Sequence, residues 1–171
     1  PFISRIIGIL LVFTGLAMTA PLVCSFFYKD MAQMGLIKSI VITMAAGLTL
    51  IILSKHHGDD DYINQKEGMT VVALGWTAIG LFGALPFYFS PEFSGFTDAF
   101  FESVSGFTTT GSSVMTQIEG SAPSLLFWRS FIQWLGGMGI IVLSLAILPF
   151  LGVGGIQLYK AEVPSPVPDK L

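Results

Sequence analysis

Charged residues are scarce in this sequence. Only 11% of its 171 residues are Asp, Glu, Lys or Arg, and 53% are hydrophobic, whereas a soluble domain has about a quarter charged residues. This shortage excludes an ordinary soluble domain and indicates a membrane protein. The Lys and Arg residues are scattered and the formal net charge is −3, so no basic surface is predicted and nucleic acid is not expected as a partner.

Cysteine and histidine are nearly absent as well. The single cysteine, Cys24, lies in an apolar run and cannot form a disulfide within the chain. The two histidines, His56 and His57, lie together in the polar stretch 55–67. The acidic part of that stretch lacks the glycine of an EF-hand calcium loop. We therefore expect no catalytic chemistry and no cofactor in this chain.

Long apolar runs are abundant instead. Four of them, roughly residues 6–27, 36–53, 68–89 and 124–150, are long enough to cross a membrane, because about 20 apolar helical residues span the bilayer core. Pro21 predicts a kink near the end of the first run. Gly8 and Gly15 are seven residues apart and predict a face on which another helix approaches closely.

The segment from Ser94 to Ser113 lies between the last two runs, and its pattern is not that of a helix that crosses the membrane. Thr97 is the predicted N-cap of a helix of about nine residues that breaks at Gly106. Nine helical residues extend about 13–14 Å, less than half of a hydrocarbon core of about 30 Å. We interpret this segment as a re-entrant pore helix, about 97–106, followed by an ion-selectivity filter at 108–113, which we call the filter segment.

The filter segment has the chemistry that a dehydrated alkali cation needs. Backbone carbonyl oxygens can replace the water around potassium, threonines are stiff at χ1, and glycine allows the positive φ that turns a carbonyl without a Cβ clash. The predicted potassium ligands are the carbonyls of Thr109, Thr110, Gly111 and Ser112. Residues 90–128 contain four acids and no Lys or Arg, a balance that attracts cations.

Three further residues are candidates for association with the pore. Glu102 lies within the short helix, and Arg129 and Gln133 are four apart, so they share one face of the fourth run. Arg129 either snorkels to the membrane interface or faces the bundle interior, where it pairs with Glu102 or a filter carbonyl. The sequence leaves both alternatives open.

The placement of Lys and Arg predicts the orientation. With four crossings, the amino end, the 55–67 loop and the tail share one side, which holds Arg5, Lys55, Lys66, Lys160 and Lys170. The other side holds Lys29 and Lys38. The positive-inside rule places the amino terminus of this multi-pass protein in the cytoplasm, and the re-entrant loop then opens to the outside.

These features predict an all-α membrane protein with two transmembrane helices followed by one helix–re-entrant pore loop–helix repeat. The two helices occupy 1–54, a cytoplasmic loop occupies 55–67, and the repeat occupies 68–160. Both ends of the chain look cut, so residues 161–171 are expected to begin a linker to further repeats.

Two stretches carry a family resemblance: FTDAFFESVSGFTTTGSS at 96–113 and WRSFIQWLGGMGI at 128–140. Together they closely resemble the first pore repeat of the Trk/Ktr/HKT superfamily of potassium transporters. The two preceding helices make the chain most similar to the bacterial TrkH branch. The resemblance implies four such repeats around one pore, with a quarter of the selectivity filter in this chain and Gly111 as its key glycine. In plant relatives a serine there goes with sodium preference, so Gly111 favours potassium.

The resemblance also implies a function and partners. It implies potassium uptake across the bacterial inner membrane, with potassium as substrate, passively or coupled to another ion. The implied partners are the remaining repeats of the same protein, a second copy in a homodimer, a cytosolic nucleotide-binding regulator of the TrkA type, and the lipid bilayer. The alternatives are a membrane anchor subunit of a redox complex, a relative permeable to sodium and potassium, and a purely structural helical subunit.

Overall fold

The structure is a computed structural model that describes residues 2–54, 65–116 and 118–147. Within these ranges the regular elements are seven α-helices: α1 Phe2–Ala17, α2 Thr19–Tyr28, α3 Gln33–Ser54, α4 Gln65–Gly83, α5 Leu85–Tyr88, α6 Phe96–Phe107 and α7 Pro123–Ile147. Most of the polar loop predicted at 55–67, and the tail from 148 onward, lie outside the described residues.

The chain forms two compact units, Pro1–Gly137 and Met138–Leu171. The first unit holds α1 to α6 and the beginning of α7. In the second unit, the described residues continue α7 to Ile147.

Three helical stretches among the described residues are long and apolar enough to cross a membrane, Ile3–Tyr28, Gln33–Ser54 and Gly68–Tyr88. They coincide with the first three apolar runs of the sequence, and the fourth run falls on α7. The prediction of an all-α membrane protein is therefore confirmed.

Prolines explain why two of these stretches are each divided into two helices. A proline has no N–H to bond the carbonyl four residues earlier, so the helix is interrupted there. The break at Met18 lies three residues before Pro21, as the predicted kink requires, and the break at Ala84 lies two residues before Pro86.

Small residues bring α1 and α3 together. A Cβ on Gly8 would lie 2.8 Å from the carbonyl oxygen of Gly47, and a Cβ on Gly47 would lie 2.8 Å from the carbonyl oxygen of Gly8. A Cβ on Gly15 would lie equally close to the side chain of Met44. The glycine face predicted on the first helix is confirmed, because only glycine permits this backbone approach.

One buried core joins the amino-terminal helices to the later elements of the first unit. Its members come from the α1–α2 break, the α2–α3 link, the α4–α5 break, α5, α6 and α7, and are Met18, Ala32, Ala84, Phe87, Ala99, Phe107, Leu125, Trp128 and Ile132. The indole N–H of Trp128 donates to the carbonyl of Gly83 at 3.0 Å. This core fixes α6 and the first half of α7 side by side, which is the arrangement that builds the site.

Candidate ion-binding site

The short helix α6 begins one residue earlier than its predicted start. Gly95 stands at the N-cap with extended backbone and no side-chain cap, and its carbonyl accepts from the N–H of Ala99 at 3.3 Å. The prediction of Thr97 as N-cap is wrong, because Thr97 already lies inside the helix. Asp98 is in the first turn, where its negative charge suits the positive end of the helix dipole.

The helix also ends later than predicted. α6 continues through Gly106 to Phe107, so the predicted break at Gly106 is wrong. Gly106 instead makes room for α7, because a Cβ there would collide with the side chain of Ile132. At 12 residues the helix extends about 18 Å, which is still too short to cross a bilayer core.

The filter segment follows as a sharp reversal of the chain. The carbonyl of Ser105 accepts from the N–H groups of Thr110 at 3.0 Å and Gly111 at 3.3 Å. Gly111 has φ +76°, the positive angle for which glycine is suited. Thr109 also has a positive φ, +59°, although it is β-branched. Such a residue costs about 1–3 kcal/mol in strain, and nothing in the sequence signalled it.

Hydrogen bonds from side-chain hydroxyl groups stabilise the reversal. The Thr108 hydroxyl donates to the carbonyl of Val104 at 2.8 Å. A hydroxyl has one proton, so in the 2.8 Å bond between the Thr108 and Thr110 hydroxyls Thr110 is the donor. The Ser105 hydroxyl donates to the carbonyl of Ser112 at 2.6 Å. Nothing in the sequence singled out Ser105, because its partner lies seven positions along a non-helical turn.

The four carbonyls predicted as ligands are therefore not equivalent. The carbonyl of Ser112 is turned back toward Ser105, and that of Gly111 accepts from Arg129 Nη2 at 3.2 Å. No donor among the described residues reaches the carbonyls of Thr109 and Thr110. Residues 108–114 are exposed in this chain, so the two free carbonyls lie in a segment that is open to a ligand or to further protein.

Glu102 connects the short helix to both sides of the segment. Its carboxylate is 1% exposed and forms an ion pair with Nε of Arg129. Its other oxygen accepts from the Ser113 hydroxyl and the Val114 N–H, both at 3.1 Å. Of the two alternatives for Arg129, the structure shows the interior one, with Glu102 and the Gly111 carbonyl both as partners.

The helix α7 approaches the site through its small residues. A Cβ on Gly136 would collide with the backbone carbonyl of Phe107, so the α7 backbone lies directly on the end of α6. Gly136 therefore allows the close packing of α7 on α6. Gln133 is exposed, and its Nε2 lies 3.6 Å from the position of a Cβ built on Gly111. The structure thus brings Glu102, Arg129 and Gln133 around the filter segment.

A pocket of about 340 Å³ opens beside the segment. Its lining consists of Glu92, Phe93, Ser94, Asp98, Val114, Met115, Thr116, Gly120 and Ser121. Two of these residues are acidic and none is basic, so the pocket favours cations. Among the described residues, no group of three or more His, Cys, Asp or Glu side chains could hold a metal ion.

The fold and the site define a class of protein: an all-helical membrane protein in which a short helix ends in a bent, exposed threonine–glycine segment. Comparison with known proteins supplies the family. The family model TrkH, described as a cation transport protein, matches residues 32–171. The chain belongs to this family, which confirms the resemblance found in the sequence.

Named relatives agree with this assignment. The Trk system potassium uptake protein TrkH of Vibrio parahaemolyticus is 41% identical over 169 residues, which cover 98% of this chain and 34% of that protein. TrkH of Escherichia coli is 42% identical over 169 residues with the same coverage. TrkG of Escherichia coli is 32% identical over 168 residues, again 98% of this chain and 34% of that protein.

A solved structure is similar as well. The crystal structure of the potassium transporter TrkH from Vibrio parahaemolyticus matches with a TM-score of 0.82 and 38% identity, over 90% of this chain and 32% of that one. The chain thus spans about a third of the length of the relatives that it matches.

Proposed function

We propose that this chain contributes one quarter of the selectivity filter and pore of a transporter that takes up potassium across the bacterial inner membrane. The observation that carries the proposal is the reversal after α6, which leaves the carbonyls of Thr109 and Thr110 without a donor among the described residues. Family membership and the potassium uptake named for the relatives support it. The proposal includes no catalytic step.

In this proposal the potassium ligands are the carbonyls of Thr109, Thr110, Gly111 and Ser112, with the first two as the main ligands. A carbonyl oxygen has two lone pairs, so Gly111 can serve an ion while it accepts from Arg129. The ion pair of Arg129 with Glu102 offsets the guanidinium charge beside the filter. Gln133, whose Nε2 lies 3.6 Å from the position of a Cβ built on Gly111, completes the pore-associated group.

The proposal requires the rest of the pore. The exposure of residues 108–114 is what a quarter of a filter shows when the remaining repeats of the same protein are absent. In the proposed topology the amino terminus is cytoplasmic, and 68–160 form the first repeat. The homodimer and the TrkA-type regulator are proposed on the family resemblance alone. The relatives are named as potassium uptake proteins, so they do not support the alternative of a membrane anchor subunit of a redox complex.

The test is Gly111→Ser in the full-length protein, with potassium and sodium uptake measured in parallel. A side chain at φ +76° costs about 1–2 kcal/mol, and the neighbouring space is ample, so the strain falls on the backbone whose carbonyls bind the ion. A free-energy change of about 1.4 kcal/mol, which lies within that range of strain, corresponds to a factor of ten. We therefore expect the preference for potassium over sodium to fall roughly tenfold. Gly111→Asp should lower it further.

Gly95→Ser is the matched control. Gly95 flanks the short helix at its start, as Gly111 follows its end, but the φ of Gly95 is −174° and no atom lies within 4 Å of a Cβ built there. Serine is favoured at an N-cap, so this variant should keep the wild-type ion preference. An unchanged preference in Gly111→Ser as well would contradict the filter assignment.

A further inference from the structure

The amino end of α7 has no side-chain cap of its own. The helix begins at Pro123, so Ala122 occupies the N-cap position, where Ser, Thr, Asp or Asn ordinarily accepts from a first-turn N–H. Ser124, the second helical residue, is 0% exposed, so its N–H cannot turn to water. A buried N–H without an acceptor is costly, and the acceptor must come from another part of the chain.

Asp30, in the link between α2 and α3, is that acceptor. Ser124 N–H donates to its Oδ2 at 3.0 Å across 94 residues of sequence, and the Ser25 hydroxyl donates to its Oδ1. Burial raises the pKa of Asp30, but the hydrogen bonds from Ser25, Ser124 and Ala32 outweigh it and hold the pKa below its usual value. The carboxylate is therefore ionised, as suits the positive end of a helix dipole.

A second carboxylate supports the same helix end. Glu92 Oε1 accepts from the N–H of Ala122 at 2.8 Å. Glu92 belongs to the turn after α5, whereas Asp30 belongs to the link between α2 and α3. Asp30 is thus a polar contact through which the link between the amino-terminal helices reaches the start of α7.

The start of α7 sets the position of Arg129. Arg129 lies five residues beyond Ser124, about 7.5 Å along one helix, with fully buried Trp128 beside it. An axial shift of Ser124 therefore moves Arg129 by a similar amount relative to Gly111. The hydrogen bond from Arg129 to the Gly111 carbonyl is 3.2 Å long, and such bonds are lost at about 3.6 Å. Only a small displacement of Arg129 is therefore compatible with this bond.

We propose that Asp30 is a positioning residue for ion selection: it holds the start of α7 so that Arg129 stays bonded to the filter segment. In this proposal the two amino-terminal transmembrane helices keep the filter segment in position, in addition to crossing the membrane. The inference rests on the proposed function, since its readout is ion uptake.

The experiment compares Asp30→Ala and Asp30→Asn in the full-length protein, with the KM for potassium and the potassium-to-sodium preference measured per folded molecule. Asn keeps an oxygen that can accept from Ser124, and Ala does not. We expect Asp30→Ala to raise KM roughly three- to thirty-fold, the range of a lost helix cap, and to lower the ion preference. Asp30→Asn should stay within about threefold of wild type.

Thr49→Ala is the control. It removes a hydroxyl bond of 2.8 Å to Ala46 on the exposed side of α3 and should change neither readout. Wild-type KM and ion preference in Asp30→Ala would overturn the inference, as would equal losses in Asp30→Asn and Asp30→Ala. A wild-type protein that takes up no potassium would instead overturn the proposed function.

A disulfide gives a readout should Asp30→Ala fail to fold. In a background without other cysteines, Asp30→Cys with Ser124→Cys places one thiol on the residue that now accepts the hydrogen bond and the other on the residue whose backbone N–H donates it. Oxidation, checked by loss of maleimide labelling, should restore the KM and ion preference that the reduced pair lacks. A pair that does not oxidise, or that oxidises without restoring either value, would contradict the inference.

Discussion

Replacing Glu102 by glutamine would test the buried ion pair beside the filter segment. Glutamine has nearly the same shape, but only one of its two terminal atoms can accept a hydrogen bond. One oxygen of Glu102 now faces Arg129, and the other faces the donors of Ser113 and Val114. In either orientation of the glutamine amide, its NH₂ group would therefore face another hydrogen-bond donor.

The magnitude follows from the burial of the two partners. Removing one member of a buried pair costs about 3–5 kcal/mol, because the other charge is left uncompensated. Glu102 is 1% exposed, but the Arg129 side chain is 23% exposed and keeps some hydration. We therefore expect the lower end, a loss of about 3 kcal/mol in the free energy of unfolding. Denaturant unfolding of the full-length protein in detergent measures it.

Ion uptake should separate the two partners. In Glu102→Gln the guanidinium stays beside the Gly111 carbonyl without its counter-charge, and it should repel potassium and raise KM. In Arg129→Gln that positive charge is gone, so KM should rise less for a similar loss of stability. The double variant should show a coupling of about 1–3 kcal/mol in unfolding free energy, as for residues in contact.

Glu119→Gln is the control for charge. Glu119 is exposed, and the change should stay within about 0.5 kcal/mol. The reasoning fails if Glu102→Gln costs no more than this control. It fails equally if the two single losses add to the double one within about 0.5 kcal/mol.

Two further predictions concern packing and protonation. Gly136→Ala should destabilise the protein by about 1–3 kcal/mol, because its Cβ would collide with the backbone of Phe107. Gly137→Ala, whose Cβ would make only a 3.7 Å contact with Thr109, should be neutral or stabilising. Thermal unfolding of both variants measures this, and a larger loss of stability in Gly137→Ala than in Gly136→Ala would contradict the prediction. For Asp30, the lowered pKa means that its stabilisation is present above the usual value of 3.8 and is lost as pH falls through the folded-state pKa. The melting temperature of wild type should therefore fall relative to Asp30→Asn only below about pH 4, and an equal gap at all pH values would contradict this.

Much of the architecture could be read from local patterns. Apolar length predicted three membrane-crossing stretches that the structure contains, and Pro21 predicted the interruption near Met18. The short helix was also predicted, but its end was not. Gly106 reads as a helix breaker by propensity, whereas here its missing side chain accommodates Ile132.

The site was predictable only as a set of residues. The sequence placed Thr109, Thr110, Gly111 and Ser112 together because they are neighbours. It could not distinguish their carbonyls, since the donors that engage two of them, Ser105 and Arg129, depend on how the turn and α7 fold. The left-handed backbone of Thr109 likewise comes from the reversal and not from its residue type.

The sequence by itself determined the membrane-crossing runs, the element too short to cross, and the glycine at position 111, because these depend on length, hydrophobicity and backbone freedom within a few residues. Only the tertiary structure decided the partner of Arg129 and the cap of α7. Those bonds join groups 27 and 94 residues apart. Packing of helices sets such contacts, and helical periodicity does not encode them.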